Sequence, residues 1–414
     1  MKIGYACVPI TTKARTSRRL VLKDYSEEKL KRIIEENLND LKEILIHNIL
    51  NNIYMFRISS DIIPLGSHEI NSFKWDLWFA EKLGEIGHFA KENNVRLSMH
   101  PGQYTVINSI KEDIVDKSIK DLEYHCKFLD SLNIDYTNKI ILHIGGVYGD
   151  KTSAKERFIS NFHRLSPSLK KRLVIENDEK NFSIDDVLEI SHLIDIPVIY
   201  DNFHNICYGD NNYSIKEIYK KVIATWKIED GSMKVHYSQQ AEGKKRGCHS
   251  KTICVNEFSS YYKEAKEFDP DIMLEVKDKD VSAIKCIALQ KEFQNDIQSI
   301  SKLYTEWAKY KYLVMEHGYD YYKKCSDLVK NNCTFLEFYT LVDEALNVPL
   351  QWNSQKNAFE HVWGYVNKET SSSEKNHFKK IMEEKNPVNV KGYLEKLVFR
   401  YNSEYIMQSY FFSQ

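Results

Sequence analysis

The chain has 414 residues, 42% hydrophobic and 28% charged, with few Pro and Gly, which excludes a disordered chain. The length exceeds what one core usually holds, so one large domain and a smaller one are expected. The formal net charge of −1 excludes a global basic footprint, so any nucleic acid would be held by local patches.

The first element is the apolar run KIGYACV (2–8). A Lys/Glu-rich helix pattern at 26–50 leads to IYMFRISS (53–60), and a second, at 74–93, leads to RLSMH (96–100). A third, at 111–132, precedes KIILHI (139–144). RLVIEN (172–177), PVIYD (197–201), MKVHYS (233–238) and DIMLEV (271–276) follow, with helix-period stretches such as YSIKEIYKKVIATW (213–226) between them. Strict β–α alternation implies parallel strands, and eight such units predict a (β/α)8 TIM barrel over 1–287. An open doubly wound sheet is the alternative, but no Gly-rich phosphate fingerprint follows the first strand. From 288 the alternation stops. The stretches 303–331, 335–352, 374–385 and 390–412 have helical, amphipathic patterns, and SSSEKN (371–376) reads as a loop. Residues 288–414 are therefore expected to form an all-α C-terminal module, packed on the barrel because no long Gly/Ser linker intervenes.

The eight cysteines are scattered without a Cys-x-x-Cys spacing, which excludes a disulfide scaffold or zinc ribbon. With no signal-peptide pattern, a reduced, cytoplasmic setting is expected. No apolar run approaches the roughly 18 residues of a membrane span.

The strand ends carry the chemistry. His68 lies in the loop after the second strand, His100 ends the third and His143 the fourth. Glu176 ends the fifth, Asp201 the sixth with His204 three residues on, His236 lies in the seventh with His249 in its loop, and Glu275 ends the eighth. In a barrel these nine meet at the C-terminal mouth. The other histidines (47, 88, 125, 163, 192, 317, 361 and 377) fall in helix patterns or the tail. A buried carboxylate is costly unless paired or metal-bound. Few Arg or Lys lie at the same strand ends, so divalent ions are expected. Nine ligands suit two or three ions with Glu176 bridging, and a His/Asp/Glu set without thiolate suits Zn, Mn or Fe. Clusters of this kind serve phosphoryl chemistry, so the residues point to a phosphodiesterase or phosphatase, with a metal-dependent sugar isomerase as the alternative.

Two basic loops flank that mouth: TTKARTSRR (11–19), with Arg15 and Arg18, and EGKKRGCHS (242–250), with Lys244, Lys245 and Arg246. Two such runs on one face favour a phosphate backbone as partner. Tyr5, Tyr104 and Tyr148 near the rim are candidates to stack on bases.

The set GYAC, RISSDIIPLGSH, SMHPGQYTVINS, LHIGGVYGDK, VIENDEK, YDNFH, KVHYS and LEVKDKD resembles the UV damage endonuclease family over residues 1–285. The resemblance implies a three-metal cluster, commonly manganese, and a single-strand nick immediately 5′ to a lesion in double-stranded DNA. The implied lesions are cyclobutane pyrimidine dimers, 6–4 photoproducts and abasic sites. It implies His100, His143, Glu176, Asp201, His204, His236, His249, Glu275 and His68 as ligands. Glu176, His143, Lys234 and His68 are implied in catalysis. Lys234 falls where the family has a lysine that can be carboxylated. The other reading is a plain ammonium on the scissile phosphate. Gln103 and Tyr104 stand where the family inserts residues at the lesion, and a poorly stacked step makes that insertion cheaper. One departure is Cys7–Val8–Pro9, where the family often has an Asn. The pattern W-x-x-Y-x-Y-L-V-M (307–315) is similar to a small helical domain of unknown function found in bacterial proteins linked to light-damage repair. A lesion-binding protein without cleavage is a further reading, against which the full ligand set speaks.

Overall fold

A computed structural model describes residues 1–209, 213–296 and 300–413. The chain divides into two compact units, Met1–Ile253 with Ser260–Ile287, and Cys254–Ser259 with Ala288–Gln414.

The first unit is a closed barrel of eight parallel strands, each paired with the next and the last with the first. They are β1 (Ile3–Ala6), β2 (Met55–Ile58), β3 (Arg96–Met99), β4 (Lys139–His143), β5 (Leu173–Glu176), β6 (Val198–Asp201), β7 (Lys234–Tyr237) and β8 (Asp271–Leu274). All eight fall within the expected runs. Closure leaves no unpaired edge, and alternation along each strand sends every second side chain to the barrel axis. Side chains that meet across the barrel identify that inner set. Arg96 of β3 pairs with Asp271 of β8 at 2.9 Å, and Lys234 of β7 donates to Ser98 of β3 at 2.7 Å.

The interior is layered. Arg96–Asp271 and Lys139–Asp230 close the N-terminal end. Apolar side chains fill the next level, with Ile141, Val174 and Ile199 in one cluster and Ala6, Met55 and Met273 in another. The inner positions one step on are His143, Glu176, Asp201, His236 and Glu275. Parity alone therefore aims the strand-end ligands at one axial spot. At Gly4 a Cβ would lie 2.0 Å from the Met55 carbonyl oxygen, so only glycine lets β1 and β2 close to this register.

The outer helices start where the sequence supplies caps. Ser26 accepts from Lys29 N–H ahead of Glu27–Leu50, and Ser183 and Ser214 form capping boxes with Asp186 and Glu217. The expected helix at 74–93 is two pieces, Trp75–Trp78 and Ala80–Glu92.

The second unit is all helical, around a core that includes Phe359, Val362, Leu394, Val398 and Phe411. Three details differ from the sequence reading. The pattern at 303–331 breaks at Gly318 into Ile300–His317 and Tyr319–Lys330. SSSEKN is not a loop: Ser371 caps a helix over Ser372–Glu383, in a capping box with Glu374. A helix over Trp352–Val366 was not anticipated; its buried residues Gln355, Ala358, Phe359, Val362 and Val366 keep helical spacing through an otherwise polar stretch. No helix among the described residues is long and apolar enough to cross a membrane.

Candidate metal centre

Glu176 ends β5 with its side chain fully buried, and four imidazoles surround it. His236 Nδ1 lies 2.7 Å away, His100 Nε2 3.2 Å, His143 Nε2 3.6 Å and His204 Nδ1 3.8 Å. Burial alone would raise its pKa. His236 and His143 outweigh that, with hydrogen bonds from His100 and His236, and hold it well below the carboxylate range. Asp201 ends β6 and caps the helix Asn202–Tyr208, accepting from His204 N–H at 2.8 Å. Asn177 ties β5 to β6 by donating to the Asp201 carbonyl and accepting the Asp201 N–H.

Seven of the nine expected ligands come together. They form three groups whose ligand atoms lie within 4.8 Å of one another: His100, His143 and Glu176; Glu176, Asp201 and His204; and Asp201, His236 and Glu275. Glu176 and Asp201 each belong to two groups. Asp201 Oδ2, His143 Nδ1 and His236 Nε2 are buried without a hydrogen-bond partner. A buried unpaired polar atom is costly, and the free Asp201 Oδ2, on a residue shared by two of the groups, fits a cation. Burial pushes the pKa values of His100 and His143 down, which favours the neutral imidazole that a metal needs. His204 is the exception. Burial pulls its pKa down, but Asp201, Glu176 and Glu275 outweigh that and raise it to about 9.

The other two expected ligands stand apart. His68 is exposed on the β2 loop and accepts from Ile70 N–H at 3.1 Å. His249 turns Nδ1 to the Glu275 carbonyl, 2.5 Å away, and neither His68 nor His249 belongs to the three groups. The expectation that few cations reach the carboxylates also needs correction, because Arg57 of β2 pairs with Glu275. Arg57 was overlooked because it sits inside an apolar strand rather than at its end; its inward parity was the available signal. Lys234 is buried one inner position before His236. Burial, with the charges of Arg96 and Arg57, pushes its ammonium pKa well down.

Around the mouth, a cleft of about 1110 Å³ is lined by His68, Gln103, Tyr104, Tyr148 and Lys180, with His100 and His143 at its base. Gln103 and Tyr104 are the central residues of a turn closed by Thr105 N–H to the Gly102 carbonyl at 2.9 Å, and Tyr104 is 84% exposed. Tyr148 is 44% exposed and held at φ 51, a strained conformation for a bulky residue. Tyr5 is not at the rim. It faces outward from β1, fully buried, and donates to Asn48 at 2.8 Å, so no base can reach it. The basic loops are partly committed to the protein itself. Arg18 pairs with Asp40 and Glu36, and Arg15 donates to loop carbonyls including those of Thr12 and Ala14. Lys244, Lys245 and Arg246 are exposed, and Arg246 donates to the Ile206 carbonyl.

A family model described as UV-endonuclease UvdE matches residues 1–308, and one described as a protein of unknown function, DUF1722, matches 311–414. The chain is 56% identical to a UV DNA damage endonuclease of Clostridium perfringens, over the full length of both. It is 33% identical to a UV DNA damage endonuclease of Bacillus cereus, over 69% of this chain and 93% of that one. Among solved structures, SacUVDE is 41% identical, with a TM-score of 0.68 over 72% of this chain and all of that one. The sugar-isomerase alternative is thereby set aside. A barrel whose strand ends converge on a buried His/Asp/Glu cluster, matched over its whole extent, makes this chain a member of the UV damage endonuclease family, an enzyme of DNA repair.

Proposed function

We propose that the enzyme nicks duplex DNA at the phosphodiester immediately 5′ to a UV lesion, with pyrimidine dimers, 6–4 photoproducts and abasic sites as substrates. The observation that carries this reading is the buried His/Asp/Glu set that converges on Glu176 and Asp201, at the base of a cleft whose lip presents Gln103 and Tyr104. His100, His143, Glu176, Asp201, His204, His236 and Glu275 would hold two or three divalent ions, with manganese the expected metal. Such ions supply an activated water and charge stabilisation for the leaving oxygen.

The chain's own residues do the rest. Glu176 and Asp201 fix the spacing of the groups they share. Arg57 balances Glu275 and orients it toward His236, 3.3 Å away. Lys234 is held against Ser98, and its depressed pKa favours the neutral amine, the form that takes up carbon dioxide to give a carbamate. A direct contact with the scissile phosphate suits it less, since only 1% of the residue is exposed. At the lip, Gln103 and Tyr104 enter the duplex where damage has weakened stacking, which lowers the cost of displacing the bases. Tyr148 offers a second ring to a displaced base. Lys244 and Lys245 contact phosphates, and His68 approaches the substrate from the opposite lip.

The test is a labelled duplex with one pyrimidine dimer, beside an intact control, incubated with Mn²⁺ or EDTA. A metal-dependent cut just 5′ of the dimer is expected. Binding without a cut in any divalent metal, or a cut at another position, overturns the reading.

A further inference from the structure

Residues behind the lip, on the outer helix Glu112–Ser131, grip both loops that frame the cleft. The Asp121 carboxylate accepts from Thr105 Oγ1 at 2.8 Å through one oxygen and from Ser67 Oγ at 2.8 Å through the other. One turn before it, Ser118 Oγ accepts from Val106 N–H at 3.0 Å. One turn after it, His125 lies fully buried with Nε2 2.9 Å from Ser60 Oγ, and that hydroxyl donates to the His100 carbonyl at 2.8 Å. Tyr124 OH donates to the Ser60 carbonyl at 2.8 Å, and its ring fills the space beside Gly66, where a Cβ would lie 2.3 Å from a ring carbon.

Spacings of three and four residues put these groups on one helix face. The segment His100–Val106 is thus clamped at the His100 carbonyl, the Thr105 hydroxyl and the Val106 N–H, while Gly102, Gln103 and Tyr104 project into solvent. Thr105 is the key joint. Its N–H closes the turn that carries Gln103 and Tyr104, and its hydroxyl is fixed from below by Asp121. Ser60 and Ser118 hold the two ends of the segment, and the bonds from Thr105 and Ser67 to Asp121 tie the turn itself to the facing β2 loop.

We propose that Asp121 is a positioning residue for lesion recognition: by holding Thr105 and Ser67 with one carboxylate, it fixes the Gln103–Tyr104 turn against the opposite lip. The inference rests on the lesion-reading role proposed above for that turn. A rigid probe has its ordering cost met in advance, so binding energy can separate a weakened step from an intact one.

The test uses the full chain with Mn²⁺. The KM for nicking a dimer-containing duplex is measured, and intact duplex is added as competitor to give its Ki. The ratio of Ki to KM reports discrimination, while loss of folded protein lowers the maximal rate and leaves that ratio unchanged. Asp121→Ala and the near-isosteric Thr105→Val are each expected to reduce the ratio roughly tenfold, since a displaced group loses most of its effect within about 1 Å. Combined with Tyr104→Ala, either is expected to add little to the effect of Tyr104→Ala alone, as for residues acting through one another. Asp121→Asn, which can still pair with both hydroxyls, is expected to restore most of the ratio. An unchanged ratio in both Thr105→Val and Asp121→Ala, or full additivity with Tyr104→Ala, overturns the positioning role. An unchanged ratio in Tyr104→Ala overturns the lesion-reading role instead, and the inference falls with it.

Discussion

Glu176 is a single residue on which two of the three ligand groups depend. Glu176→Gln keeps the shape but removes the anionic bridge, and His143→Ala removes a member of one group. Both are expected to lower nicking at least about a hundredfold, because losing a ligand costs more than the 10–100-fold of losing its supporting partner. Circular dichroism should remain native while metal content falls; full activity in either variant refutes the assignment. His204 gives a pH signature in protein stripped with EDTA. Its pKa is raised to about 9, against about 6.5 in the unfolded chain, so its ionised form stabilises the fold fully below pH 6.5 and that contribution is lost as pH rises through 9. The melting temperature of the stripped protein is expected to fall across that window. His204→Asn should flatten the fall, and a slope unchanged by the substitution rejects it. Some of this scale was legible in the sequence. Carboxylates ending apolar strands announce themselves, because nothing else explains a charge there. Tyr5 was misread because GYAC offers no inward polar residue to fix the parity of β1. The Thr105–Asp121–Ser67 contacts were not legible, since they join loops to a helix across the fold through residue types common on any surface.

At the level of elements, hydrophobic periodicity located every strand because each is short and apolar and leads into a helix, although the last of these, Asp280–Phe293, is buried on all faces through Gln290. Caps were the weaker signal. Ser371 looked like part of a polar loop, yet its hydroxyl accepts from Glu374 N–H, and the Glu374 carboxylate is taken up by Ser371, Tyr401 and Arg400. Ser371→Ala is expected to cost about 1 kcal/mol. Denaturant unfolding of the full chain, followed by helical circular dichroism, should show an earlier transition for the helical unit; an unshifted curve excludes the cap as a stabilising element. The helix Trp352–Val366 escaped notice because, after Trp352, its first turns (Asn353–Asn357) are polar, with tertiary burial completing what local preference leaves undecided.

At the scale of the whole molecule, the matched Bacillus cereus protein is nearly accounted for by 69% of this chain. A chain ending at Asp296 keeps all eight strands and the helix Asp280–Phe293. It loses hydrogen bonds that include those from Val255 N–H to Asp343 and from Phe335 and Leu336 N–H to Glu292, each worth about 1 kcal/mol. It is expected to fold and to keep metal-dependent nicking. A soluble, folded but inactive truncation would assign the helical unit a part in catalysis.

The ligands that meet around Glu176 come from strands spread between His100 and Glu275. No piece of the chain that stops short of the eighth strand therefore holds the full ligand set. A chain still emerging from the ribosome, or a fragment left by a protease, carries the histidines and acids of a nuclease with no means of gathering them. Closure of the barrel acts as a safety catch, gathering the ligands of a nuclease only once all eight strands have been made and folded.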